Sequence, residues 1–116
     1  MNKSLDDLIW EYRHNAVEHG RATEIGDHKK ANKDYDRLIK ALRLIREHGT
    51  DGDDAVLGLL SDEDASVRCW AASHCLKVNE ETARHTLEAV SALPGIIGFN
   101  ARMVLAEWDK GTPKIR

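Results

Sequence analysis

The chain has 116 residues, 41% of them apolar and 32% charged, with 17 Lys and Arg against 20 Asp and Glu for a formal charge of −3. That size suits one domain with one modest core, the composition is that of a folded chain, and no apolar run approaches the roughly 20 residues a membrane span needs. The negative balance argues against nucleic acid as a partner, and two cysteines are too few for a disulfide framework.

The opening stretch MNKSLDDLIWEYRH carries acids where a secretory signal would carry positive charge and then an unbroken apolar segment, so a cytoplasmic protein is expected. Beyond it, apolar residues recur three and four apart between glycine and proline marks, and no segment alternates apolar with polar for long. Six helices and no strands are predicted. The first runs from about Leu5 to Gly20 on a stripe of Leu5, Leu8, Ile9, Tyr12 and Ala16. The second runs from about Asp27 to His48, with Ala31, Tyr35, Leu38, Leu42 and Ile45 on one face and Lys29, Lys30, Lys33, Lys40 and Arg43 mostly turned to water.

A short third helix, about Asp53 to Leu60, follows acids that suit the positive end of a helix dipole. The segment Ser61 to Asp64 supplies caps for a fourth helix, about Asp64 to Val78. Asn79 with Glu80 and Glu81 starts a fifth, which ends near Leu93 before Pro94-Gly95, and the sixth runs from about Gly98 to Lys110. The expected domain is therefore residues 1–116 in three antiparallel helical pairs, about 4–48, 52–78 and 79–110, with a loose tail at 111–116.

On the fourth helix Val67, Ala71, Cys75 and Val78 share one side, with Ala72 and Leu76 on its flank, so a broad face of small residues is predicted to be buried. The order Leu59, Leu60, Asp62, Asp64, Val67, Arg68, Ala71, Ala72, Leu76 resembles the B-helix entry of a HEAT repeat. That resemblance implies an all-α, short HEAT-like αα-solenoid in which Asp62 or Asp64 and Arg68 hold adjacent repeats together. The segments GDHKKANKDYDRLIKALRLIREHG, VRCWAASHCL and GFNARMVLAEWDKG together are similar to a small bacterial family catalogued as a domain of unknown function, numbered twenty-nineteen. The last helical pair departs from the repeat pattern, because Asn100-Ala101-Arg102 stands where Val-Arg would be expected and PGIIG fills the turn.

Catalytic readings fare poorly against packing ones. Cys75 beside His74 invites a thiolate–imidazole pair, but helix neighbours point about 100° apart, and Cys69 and Cys75 differ by about 240° and cannot share a zinc ion. Six histidines are scattered without HExxH spacing, GTDGDD lacks a calcium-loop frame, and no phosphate loop or nucleophile elbow is present. No enzyme, metal or cofactor is expected. A rival reading assembles a site from His14, His74 and His85 with carboxylates of separate helices, and requires those groups to converge in one cleft.

Two features point to a binding surface instead. Residues Glu47 to Asp64 hold seven acids and no Lys or Arg. Asp51, Asp53, Asp54, Asp62, Glu63 and Asp64 could thus form an edge that attracts a basic partner, or could serve as helix caps alone. Trp10 lies away from its helix's apolar stripe, and Trp70 opposes the small-residue face one turn from His74, so each is either an anchor for a partner or a filler of a seam. Trp108 and Phe99 are expected to pack, and Arg68, Val67, Ala71, Ala72 and Leu76 to serve the fold. A non-enzymatic protein-binding module follows, most specifically a bacterial immunity protein that neutralises a basic, nuclease-type toxin domain. An adaptor or regulatory subunit of a larger complex and, less so, a helical nucleic-acid-processing protein are the alternatives. No membrane contact is expected, and self-association through the Trp10 face is open.

Overall fold

The computed structural model describes residues 3–111. These form six α-helices and no strand: α1 (Leu5–Glu24), α2 (His28–Arg46), α3 (Thr50–Gly58), α4 (Ala65–Cys75), α5 (Glu80–Ser91) and α6 (Gly95–Asp109), with one 3-10 turn at Leu59–Ser61. Of the tail expected at 111–116, all but Gly111 lies outside the described residues. Four helix starts are fixed by side chains that accept the otherwise orphaned amide hydrogens of a first turn. Ser4 accepts from the Asp7 amide at 3.1 Å and Asp27 from the Lys30 amide at 3.1 Å. Asp64 accepts from the Ser66 and Val67 amides at 2.8 and 3.1 Å, and Asn79 from the Thr82 amide at 3.2 Å.

The helix α4 is the centre of the molecule, packed on α1, α3, α5 and α6, while α1 and α2 pack along each other. Its small residues explain that position. Val67, Ala71, Ala72 and Cys75 are fully buried, and their short side chains let neighbouring helices approach closely. Leu8 and Tyr12 of α1, Leu38 and Ile45 of α2, and Leu87 and Val90 of α5 fill the space around them. Each large aliphatic side chain buried in this way contributes on the order of 2 kcal/mol. No helix among the described residues is long and apolar enough to cross a membrane.

Local differences from the sequence expectation have identifiable causes. Gly20 does not end α1, which continues four residues further to Glu24. Its role is to make room: a Cβ there would run onto Ser66 Oγ and lie 2.9 Å from Ser66 Cβ at the start of α4. Likewise PGIIG is not a turn, because α6 begins at Gly95 and Gly98 is inside it, against the Leu93 carbonyl. Tyr35 is exposed rather than in the buried stripe of α2, and Asp34 takes the buried place beside it. Val78 lies beyond the end of α4 and is exposed as well.

Candidate functional site

A seam of aromatic and imidazole rings joins α1, α2 and α4. Tyr12 is fully buried on α1, and its hydroxyl lies 2.6 Å from Nδ1 of His74 on α4. Trp70, one turn before His74 and half-buried, packs its ring 5.6 Å from the His74 ring, 5.3 Å from His19 and 5.6 Å from Tyr35. Burial lowers the His74 imidazole to about 4, with the Arg46 guanidinium adding to the effect, so the ring is neutral. Burial also pushes the Tyr12 phenol well above its ordinary value. A neutral phenol and a neutral imidazole thus share one hydrogen bond between Tyr12 Oη and His74 Nδ1. Arg46 donates to the His74 carbonyl at 3.3 Å, where cations suit a helix C-terminus.

The two thiols take no part in any polar cluster suited to nucleophilic chemistry. Burial pushes Cys69 and Cys75 both to about 11, so neither presents a thiolate to His74. The histidines of the rival catalytic reading do not converge. His14 lines a groove between α1 and α2, His74 lines a separate cleft with Arg46, Asp53 and Lys77, and His85 is exposed on α5. Among the described residues no group of three or more His, Cys, Asp or Glu is placed to hold a metal ion.

The acids of the 47–64 segment divide into two sets. Asp62 and Asp64 serve the fold: Asp62 takes a two-pronged grip from Arg13 of α1, at 2.7 Å from Nε and 3.1 Å from Nη2, and accepts from the Asp64 amide at 2.9 Å. Burial pushes the Asp62 carboxyl up, but the Arg13 and amide hydrogen bonds and the nearby Arg68 charge outweigh it and leave the group below its ordinary value. Among the described residues Arg68 pairs with no carboxylate; it donates to the backbone carbonyls of Asp62 and Glu63 at 2.8 and 3.0 Å. Asp51, Asp54 and Glu63, by contrast, are exposed and form no salt bridge among the described residues, and Asp53 is half-buried beside Arg46 in the His74 cleft.

The tryptophans separate in the same way. Trp10 is 63% exposed and stacks on His14 of its own helix, centroids 4.8 Å apart and planes within 7°. Trp70 is a seam residue. Trp108 is half-buried and its indole N–H donates to Glu80 at 2.9 Å. Phe99, expected to pack, is 52% exposed, and with Ile96 at 44% and Met103 at 46% it forms an apolar stripe along the outer face of α6. The spacing 96, 99, 103 carried that signal in the sequence. The stripe runs between two openings. At one end Ile96 lines a cleft of about 320 Å³ between α1, α4 and α6, with Trp70 and Cys69 in its wall. At the other end Met103 joins Leu76, Val104 and Trp108 in a shallow apolar patch.

No protein-family model matches the chain, and no curated protein does. The fold is similar to that in the crystal structure of the protein RPA1889 from Rhodopseudomonas palustris CGA009, with a TM-score of 0.89 and 24% sequence identity over 99% of this chain and 96% of that one. The likeness extends to the all-helical fold and carries no chemistry with it.

Proposed function

We propose that the protein is a non-enzymatic protein-binding module whose working face is the outer side of α6 together with the cleft at its head. The observation that carries this reading is the unpaired stripe of Ile96, Phe99 and Met103, three large apolar side chains each about half exposed on one helix face. Contiguous apolar surface of this kind marks interaction sites on soluble chains. The packing of α1 on α2 and of α5 on α6 supports a HEAT-like stack of helical pairs beneath that face.

In its most specific form the reading is an immunity protein that covers a basic toxin domain. Its support is the set of unneutralised acids Asp51, Asp54 and Glu63, which would attract such a partner. The test is affinity capture from the host with the tagged wild type, a Phe99→Asp/Met103→Asp variant and an Asp51→Lys/Asp54→Lys variant, each shown to be folded by circular dichroism. A stoichiometric protein partner lost with the α6 variant supports the binding reading, and its further loss with the acid variant or at high salt supports the basic-toxin form. Retention of the same proteins by all three chains at all salt concentrations, or retention of none, overturns it.

A further inference from the structure

We infer that the groove between α1 and α2 binds a short stretch of single-stranded nucleic acid, with phosphates along α2 and a base stacked on Trp10. This goes beyond the protein-binding reading and uses a different face.

The overall charge of −3 conceals a segregation. Lys3, Lys30, Lys33, Arg37 and Lys40 line this groove. Glu11, Glu18 and Asp34 are the carboxylates that face them, so the groove carries +2 and the rest of the chain −5. Those carboxylates are already engaged. Glu11 is paired by Lys3, and Lys30 bridges Glu18 at 3.0 Å and the buried Asp34 at 2.8 Å. Arg37 reaches Asp34 only at 4.0 Å, and Lys33 and Lys40 have no ion pair among the described residues. Asp36 borders the row on α2, exposed and with no ion pair among the described residues.

Lys33 and Lys40, with Arg37 held only loosely by Asp34 between them, therefore form a row of three cations at helical spacing. At 1.5 Å of rise per residue the row spans about 10 Å. A row of that length can follow the backbone of a single strand and meet successive phosphates. The cleft itself, about 510 Å³, is large enough for a nucleotide.

Trp10 supplies the second half of the recognition. His14, which lines the groove, stacks on the Trp10 ring, and the indole stays 63% exposed. An exposed aromatic ring at the rim of a basic groove, here reached through His14, is how proteins hold single strands without reading sequence, since every base offers a ring to stack. An acidic peptide would satisfy the cations and leave the indole unused.

The test is fluorescence anisotropy of the full chain with a short labelled oligothymidylate, and with a glutamate-rich peptide of equal charge as the competitor class. Neutralising three phosphates predicts a log–log salt slope of about −2, an affinity about twentyfold weaker at 200 mM than at 50 mM salt. A Lys33→Glu/Lys40→Glu variant is expected to bind at least about tenfold more weakly at low salt, with a shallower slope. Trp10→Ala is expected to weaken the oligonucleotide about tenfold at unchanged slope. All substituted positions are exposed, and an unchanged melting temperature confirms that each variant is folded. No oligonucleotide binding at 50 mM salt, binding that survives the double reversal, or preference for the peptide overturns the proposal.

Discussion

Substituting Gly20 by Ala isolates the contact between α1 and α4. In the middle of a helix the change normally stabilises, by about 0.8–1 kcal/mol, because alanine restricts the unfolded chain and favours the helix. Here the new methyl would sit on Ser66 Oγ and 2.9 Å from Ser66 Cβ. Rotating the serine relieves the first clash but not the second, since Cβ is fixed by the α4 backbone, so the helices must part by several tenths of an ångström. Overpacking of this kind costs typically 1–3 kcal/mol. Setting the propensity gain against it leaves a net loss of about 1 kcal/mol, a fall in melting temperature of about 4 °C for a domain of this size. Ser66→Gly alone loses a little helix propensity, but in the double variant it removes the atoms that collide. Gly20→Ala/Ser66→Gly should therefore be more stable than the two single effects added together, by about 1–2 kcal/mol. Urea unfolding followed by circular dichroism measures all four corners of the cycle. A Gly20→Ala protein as stable as the wild type, or additive effects in the double variant, would refute the close approach as the reason for the glycine.

Two further predictions concern charge. His74 is held neutral in the fold at about 4 against an ordinary 6.5, so its contribution is complete above about pH 6.5 and is lost as the pH falls toward 4. At about 1.36 kcal/mol per pH unit this amounts to about 3 kcal/mol. His74→Gln, whose amide can still hydrogen-bond to Tyr12, should lose about that much less stability between pH 7 and pH 4, and parallel profiles for the two proteins would contradict the assignment. The acids of the 47–64 segment should differ sharply. Asp62→Ala removes the carboxylate that Arg13 and the Asp64 amide share and should cost about 2 kcal/mol, whereas Asp54→Lys at an exposed site should stay within about 0.5 kcal/mol. Equal midpoints in urea would erase the distinction.

The number and order of the helices were legible because each is announced locally. Asp64 and Asn79 cap the helices they precede, and the apolar stripe through Leu8, Tyr12 and Ala16 has helical period. What stayed hidden depended on partners distant in the chain. Gly20 reads as a terminator until Ser66 is placed against it, and Asp62 reads as surface charge until Arg13, 49 positions earlier, is brought to it. Tyr35 has the spacing of a core residue on α2, but its ring leans on Trp70 from outside while Asp34 is buried beneath Lys30. The basic face of α2 looked like ordinary solvated surface because a count of charges along the sequence cannot show that α1 lies against it with His14, and Trp10 stacked on His14, across the groove. The outward face of α6 could have been read from its spacing alone, and was obscured by the expectation that a phenylalanine packs.

The clasp between Arg13 and Asp62, with the Tyr12–His74 hydrogen bond 62 positions apart beside it, has a kinetic meaning. Contacts between sequence neighbours, such as α1 with α2 and α5 with α6, close short loops and form early. Contacts that reach from α1 to α4 must wait until the intervening chain is ordered. Interactions made late in folding are largely absent at the transition state, so weakening them hastens unfolding and leaves the folding rate nearly unchanged. Weakening the clasp is therefore expected to hasten unfolding more than it slows folding, and to be felt first as shortened lifetime under proteolysis.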